Sequence, residues 1–236
     1  MTASQRASDT TYTAAFGSSD YPFLRSISPP LRTFSDAAAT PTSHVRILAA
    51  IKHEHRELES HSRKIINSTS PDEQTRYQNQ FTWELARHTI GEELVAYPTL
   101  AEYVKNGQAL ADKNRAEHQD LKEQLKMFQG LRSTDPRFVP TLQALMGDLE
   151  NHIRTEEADF ARLEAVLSQE DSEALTHAFD RTKMFVPSRS HPLAPNKPPF
   201  ETAVGLLTAP VDMVADMFRK WPHPVEEGKH KMSVFK

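Results

Sequence analysis

The chain has 236 residues, 38% of them hydrophobic, with 7 glycines, no cysteine and a formal net charge of -4. This length allows one or two domains, and few glycines beside long stretches rich in Ala, Leu, Glu, Gln and Arg favour helices over sheet. The lack of cysteine excludes disulfides, thiolate catalysis and Cys-based zinc or iron–sulfur sites, so a protein-held metal must use His, Asp or Glu. The acidic balance offers no basic surface for nucleic acid, and no apolar run reaches transmembrane length. With no compact apolar leader of the secretory kind, the expected location is intracellular, in the cytoplasm.

Residues 1–42 are rich in Ser, Thr, Ala and Pro without sustained periodicity, which predicts a disordered or loose arm. A first helix is expected over about 43–67, with an apolar stripe of Leu48, Ile51, Leu58 and Ile65 that also carries His55 and Ser62. A second opens at Ser70 as N-cap and Pro71 as first helical residue. Its stripe is Phe81, Leu85 and Val95, with His88 and Glu92 between them, and Pro98 should kink it before the turn at Asn106–Gly107. A third, over about 108–128, places Ala111, Leu121, Leu125 and Phe128 on one face with Asn114 and His118. A fourth runs from about 138 to 167, with Asp135 as a possible cap. Its stripe is Leu142, Leu145, Leu149, Phe160, Leu163 and Leu167, and it contains His152 and Glu156.

Four amphipathic helices joined by short loops predict an all-α antiparallel up-and-down four-helix bundle over 43–168. A short helix at 170–183, an extended proline-rich stretch and one or two further short helices make a C-terminal extension, 169–221, expected to pack on the bundle. Residues 222–236 read as a loose tail.

Each of the four stripes is interrupted by a histidine: His55, His88, His118 and His152. On the second and fourth helices a glutamate follows four residues later, Glu92 and Glu156, in "HTIGEE" and "HIRTEE". Spacing of four puts both members of a pair on one helical face. At 1.5 Å rise per residue the four levels differ by roughly 5–9 Å, within what tilt and the Pro98 irregularity absorb. Two carboxylates and four imidazoles facing one core are costly unless a cation neutralises them. Six such ligands exceed what one catalytic zinc takes and suit two metals, with iron before manganese or zinc and the two glutamates able to bridge.

Neighbouring residues receive plainer readings. Glu93 and Glu157 lie about 100° round from the stripe; solvated surface is the expected place, with support of a ligand as the other reading. His53 and His61 are expected at the surface or an entrance, and Tyr97 in a packing role, with a hydrogen bond donated at the end of the core as the other reading. Met127 and Met146 read as core filler. His44, His177, His191, His223 and His230 have no matching context.

On "IKHEHREL", "HTIGEE…YP", "AEHQDL" and "HIRTEE", the chain resembles the hemerythrin-like, or HHE, cation-binding family over roughly 44–167. The resemblance implies a four-helix bundle around a non-haem di-iron centre, with His55, His88, Glu92, His118, His152 and Glu156 as ligands. One departure is Asn114, where oxygen-carrying members have a further histidine one turn before His118. The expected function is non-haem iron binding with oxygen, peroxide or iron as the species handled. Two alternatives stand beside it: an iron-dependent oxidase or oxygenase of a small organic metabolite, and a non-catalytic iron-binding sensor.

Overall fold

The structure, a computed structural model, describes residues 45–194 and 200–223. The expected N-terminal arm and the tail beyond 223 lie outside the described residues, as do His44 and His230. The described chain is all-helical. Helix α1 is Ile47–Asn67 and α2 is Pro71–Gly91; a π-helical segment, Glu92–Ala96, joins α2 to α3, Tyr97–Tyr103. Then follow α4, Gly107–Gln129, α5, Phe138–Glu164, α6, Gln169–Lys183, and α7, Phe200–Asp216. Helix α1, the long α2–π–α3 rod, α4 and α5 pack in a ring, each against its neighbours in chain order and α5 against α1.

The local reasons are legible. Ser70 caps α2, its hydroxyl accepting from Glu73 N–H at 3.3 Å, with Pro71 behind it. Asn106 takes the left-handed conformation, φ 61°, and Gly107 follows because a Cβ there would lie 1.9 Å from the Leu100 carbonyl oxygen. Asp135 lies two residues before Arg137, the cap position of α5, and is not itself the cap. It accepts from Arg137 N–H at 2.9 Å and orders the turn before α5.

Pro98 does more than kink its helix. It lacks an N–H for the carbonyl one turn back, and the chain answers with a π segment just before it, where Tyr97 N–H reaches Glu92 O. The segment shifts the inward face by about one residue. From its last residue onward Ala96, Tyr97 and Leu100 are buried, while Val95, placed on the stripe by simple periodicity, is only half-buried.

The apolar core forms two clusters. One gathers Leu58, Ile65, Phe81, Phe128, Leu142 and Leu145; the other gathers Ile47, Ile51, Tyr97, Leu100, Phe160 and Phe179. Met146 belongs to the first, but Met127 is 61% exposed and fills no core, because its position turns out of the α4 stripe.

Helix α7 is one helix that continues through Pro210. The extension is fastened largely by polar contacts. Residues 186–190 are buried, Arg189 pairs with Asp216 at 2.7 Å, and Ser190 Oγ donates to the Lys122 carbonyl at 2.5 Å. Past α7, Arg76 and Asn79 of α2 donate to the carbonyls of Trp221 and Lys220. Val211, Met217 and Phe218 are exposed rather than packed on the bundle. Among the described residues no helix is long and apolar enough to cross a membrane.

Candidate metal centre

Between the two apolar clusters lies a layer of ionisable side chains. His55 comes from α1, His88 from α2, Glu92 from the start of the π segment, His118 from α4, and His152 and Glu156 from α5. All six are at most 3% exposed. The heights estimated from helix ends are reconciled by the packing of the rods, and the six converge on one level.

They fall into two histidine pairs. Nε2 of His55 stands 3.1 Å from Nε2 of His88, and Nε2 of His118 stands 3.0 Å from Nε2 of His152. The two glutamates lie across both pairs. Glu92 has one oxygen 3.3 Å from His88 Nε2 and the other 3.5 Å from His118 Nε2. Glu156 Oε2 is 3.5 Å from His55 Nε2 and 3.4 Å from His152 Nε2. Two sets could hold a cation: His55, His88, Glu92 and Glu156, and His118, His152 and Glu156.

The outer nitrogens explain the orientation. Each Nδ1 meets a carboxylate: His55 with Glu157 at 3.0 Å, His88 with Glu54 at 3.0 Å, His118 with Glu93 at 3.1 Å and His152 with Glu117 at 2.8 Å. A carboxylate accepts from Nδ1–H, which leaves the Nε2 lone pair aimed at the centre. The supporting residues form a directed ring. Helix α1 supports the histidine of α2, the π segment that of α4, α4 that of α5, and α5 that of α1.

This ring corrects the expectation for Glu93 and Glu157. Glu93 is fully buried and the Glu157 side chain is 15% exposed, so neither is free surface. A turn of about 100° carries a side chain off the central stripe but towards the neighbouring helix, where a histidine needs an acceptor. Glu54 and Glu117 were missed. The signal was available: every ligand-bearing segment has a glutamate directly beside a stripe residue, in Glu54–His55, Glu92–Glu93, Glu117–His118 and Glu156–Glu157. Cations back the ring in turn, with Lys122 on Glu93, Lys113 on Glu117, Arg56 on Glu157 and Lys183 on Glu54.

Tyr97 takes the second of its two readings, donating a hydrogen bond at the core, as well as packing. Its hydroxyl donates to Glu156 Oε1 at 2.5 Å and lies 2.9 Å from His118 Nε2. The π segment delivers it there, an effect that plain helical periodicity does not anticipate. Asn114 is fully buried, and neither its amide oxygen nor its nitrogen has a hydrogen-bond partner among the described residues. His53 is exposed beside Glu57, His61 sits near Glu84 and the Tyr77 ring, His177 and His223 are exposed, and His191 pairs with Asp212.

The electrostatics are strained in a telling way. Burial, then the nearby Glu156 charge, pushes the Glu92 carboxyl well above its usual range. Burial acts against ionisation of Glu156 too, but His152, His55 and His118 hold it well below that range. Burial pulls His118 down to about 4, whereas at His152 burial is outweighed by Glu156 and Glu117 and the value rises to about 9. Burial keeps the Tyr97 phenol well above its ordinary value, so it retains its proton.

The donor set fits a metal. Among the described residues, both oxygens of Glu92 and Oε2 of Glu156 lack hydrogen-bond partners, and a buried carboxylate without partners is expensive. Without a metal, the two Nε2 atoms of each pair, 3.1 and 3.0 Å apart, must share a proton between them. Two nitrogens sharing one metal at about 2.1 Å and at a right angle would stand about 3 Å apart.

With this geometry in view, the match to known families is direct. The model of the hemerythrin HHE cation binding domain matches residues 46–164, about half of the chain. The chain belongs to the hemerythrin HHE family. A Schizosaccharomyces pombe protein described as an uncharacterized hemerythrin-like protein is 49% identical over 179 residues, which cover 75% of this chain and 88% of that protein. That stretch is longer than the HHE segment, so the likeness continues outside it. No solved structure matches the chain. Membership of the family makes this a cation-binding HHE domain, and the buried His and Glu cluster is the cation-binding candidate within it.

Proposed function

We propose that the chain is a non-haem di-iron protein that handles oxygen, peroxide or iron itself. The observation that carries this reading is Glu92, buried with both oxygens unpartnered and one facing each histidine pair. Such a carboxylate is poorly placed in a metal-free core and well placed to join two metals. His55 and His88 would hold one ion, His118 and His152 the other, and Glu92 and Glu156 would be shared. Imidazole and carboxylate donors without thiolate suit iron, before manganese or zinc. Iron, when bound, supplies Lewis acidity and one-electron chemistry towards oxygen species.

The protein's own groups do the rest. Glu54, Glu93, Glu117 and Glu157 orient the imidazoles and raise their basicity. Tyr97 holds a proton at Glu156 Oε1, beside the histidine of the second pair. The two apolar clusters keep bulk water from the layer. Asn114, an amide in place of an imidazole, gives the His118–His152 pair one fewer strong donor, which argues against reversible oxygen carriage.

The oxidase alternative needs an apolar route for an organic substrate. The cleft of about 300 Å³ that borders His88 is lined largely by charged groups and gives that reading no support. The sensor alternative is favoured by one observation, the direct contact of α6 with His88. Metal analysis of anaerobically purified protein, with optical spectra before and after oxygen, tests the main reading. About two irons per chain and an oxygen-dependent absorption band are expected. No stoichiometric metal after iron supplementation would refute it.

A further inference from the structure

Helix α6 lies outside the HHE segment 46–164, yet it touches the cluster. Phe179 is fully buried and meets the His88 ring nearly at a right angle, 83°, with centroids 6.1 Å apart. One turn further along the same face, the Lys183 ammonium lies 4.3 Å from the centroid of that Phe179 ring. The same ammonium donates to Glu54 Oε1, while Glu54 Oε2 stands 3.0 Å from His88 Nδ1. Arg87, next to His88, donates Nε–H to the Lys183 carbonyl at 2.6 Å.

Gly91 permits this approach. A Cβ at that position would lie 2.8 Å from Phe179 Cε2 and 3.1 Å from Lys183 Cγ. The docking surface of α6 is therefore the very turn that carries His88 to Glu92. The four supporting carboxylates also differ in one respect. Glu93, Glu117 and Glu157 are each backed by a cation of the bundle, Lys122, Lys113 and Arg56. Among the described residues, the lysine on Glu54 comes from α6.

We infer that α6 is a working part of the metal centre, with Lys183 and Phe179 as positioning residues that hold Glu54 and His88 for the ion shared with His55. The inference rests on the two-metal reading. Lys183 fixes the carboxylate, the carboxylate fixes the tautomer and direction of His88, and Phe179 blocks rotation of the ring. The His118–His152 pair has its own support and does not depend on α6. Helix α6 thus acts on the half of the centre that holds His88.

Anaerobic titration of the full chain with iron(II) separates these statements, alongside thermal melting of the metal-free proteins. Wild type is expected to take two irons. Lys183→Met keeps the aliphatic stem and removes the ammonium; it should keep one site and weaken the other by about 10–100-fold, with the metal-free midpoint little changed. Lys183→Arg should restore the second site. Phe179→Leu provides an independent variant if Lys183→Met does not fold, and it too should weaken one site only. Wild-type affinity for two irons in either folded variant overturns the inference while leaving the two-metal reading intact. So does equal weakening of both sites in step with metal-free stability, which is the mark of a merely structural role. A wild type that binds no iron removes both.

Discussion

At the scale of single residues, Glu92 and the supporting glutamates behave in opposite ways, because one lacks partners and the others have them. Glu92 is buried with two unpartnered oxygens. A buried polar group without hydrogen-bond partners carries a desolvation cost that an apolar group of similar size does not. Glu92→Leu is therefore expected to raise the metal-free thermal midpoint and to abolish two-metal binding, as read by melting and metal analysis of the same sample. Glu117 does its work through His152. Glu117→Gln keeps an acceptor but loses the charge, and should weaken metal binding by about 10–100-fold with little loss of fold. Iron(II) titration checks it, and unchanged affinity would show that the Nδ1 partner does not matter.

Among the elements, the π segment and the C-terminal strap each make a separate claim. The π segment rotates Tyr97 and Leu100 inward. Deleting Val95, the half-buried residue inside it, should turn the segment into ordinary α-helix with Tyr97 N–H still on the Glu92 carbonyl, four residues back instead of five, so that Tyr97 stays at Glu156. The expected result is retained metal binding in iron(II) titration; a deletion variant that loses metal binding would contradict the role given to the segment, which is to absorb one residue. The strap beyond α7 is tied to α2 through Asp72, which Lys220 and Arg76 hold down at about 2. A carboxyl depressed in the folded state adds stability above its unfolded value of about 3.8, and that contribution is lost as pH falls through about 2. The contact of Trp83 with Trp221, centroids 6.3 Å apart, supplies a fluorescence readout. The signal should stay constant down to about pH 4 and change below it, and Asp72→Asn should show the change at neutral pH.

For the molecule as a whole, the polar layer divides the core, so metal binding and folding are linked. A ligand that binds only the folded chain stabilises it by about 4 kcal/mol at a thousandfold excess over its dissociation constant. Iron(II) is expected to raise the melting midpoint in a concentration-dependent way, and chelation should reverse the gain. A midpoint indifferent to iron would place the cluster outside the folding equilibrium. The same division explains why α6 matters: Phe179 belongs to the apolar cluster on one side of the layer and touches His88 within it.

Much of this was readable in the linear chain. Helical periodicity, the Ser70–Pro71 start and the Asn106–Gly107 turn specify the rods, because propensity and capping act within a few residues of each other. Four histidines and two glutamates on apolar stripes mark the inner layer for the same reason, since position on a helix face follows from spacing along the chain. What spacing does not contain is the relation between rods. Glu93 and Glu157, which a single helix assigns to its outside, become supports, one buried and one largely covered, once a neighbouring rod packs on them. Glu54 and Glu117 acquire a role through histidines 34 and 35 positions away. The π segment moves the inward face after Pro98 by about one residue, so Tyr97 enters the site and Val95 leaves the stripe. Lys183 reaches Glu54 across 129 positions. Each of these depends on which surfaces meet when the rods pack, and that is settled by tertiary contact rather than local sequence.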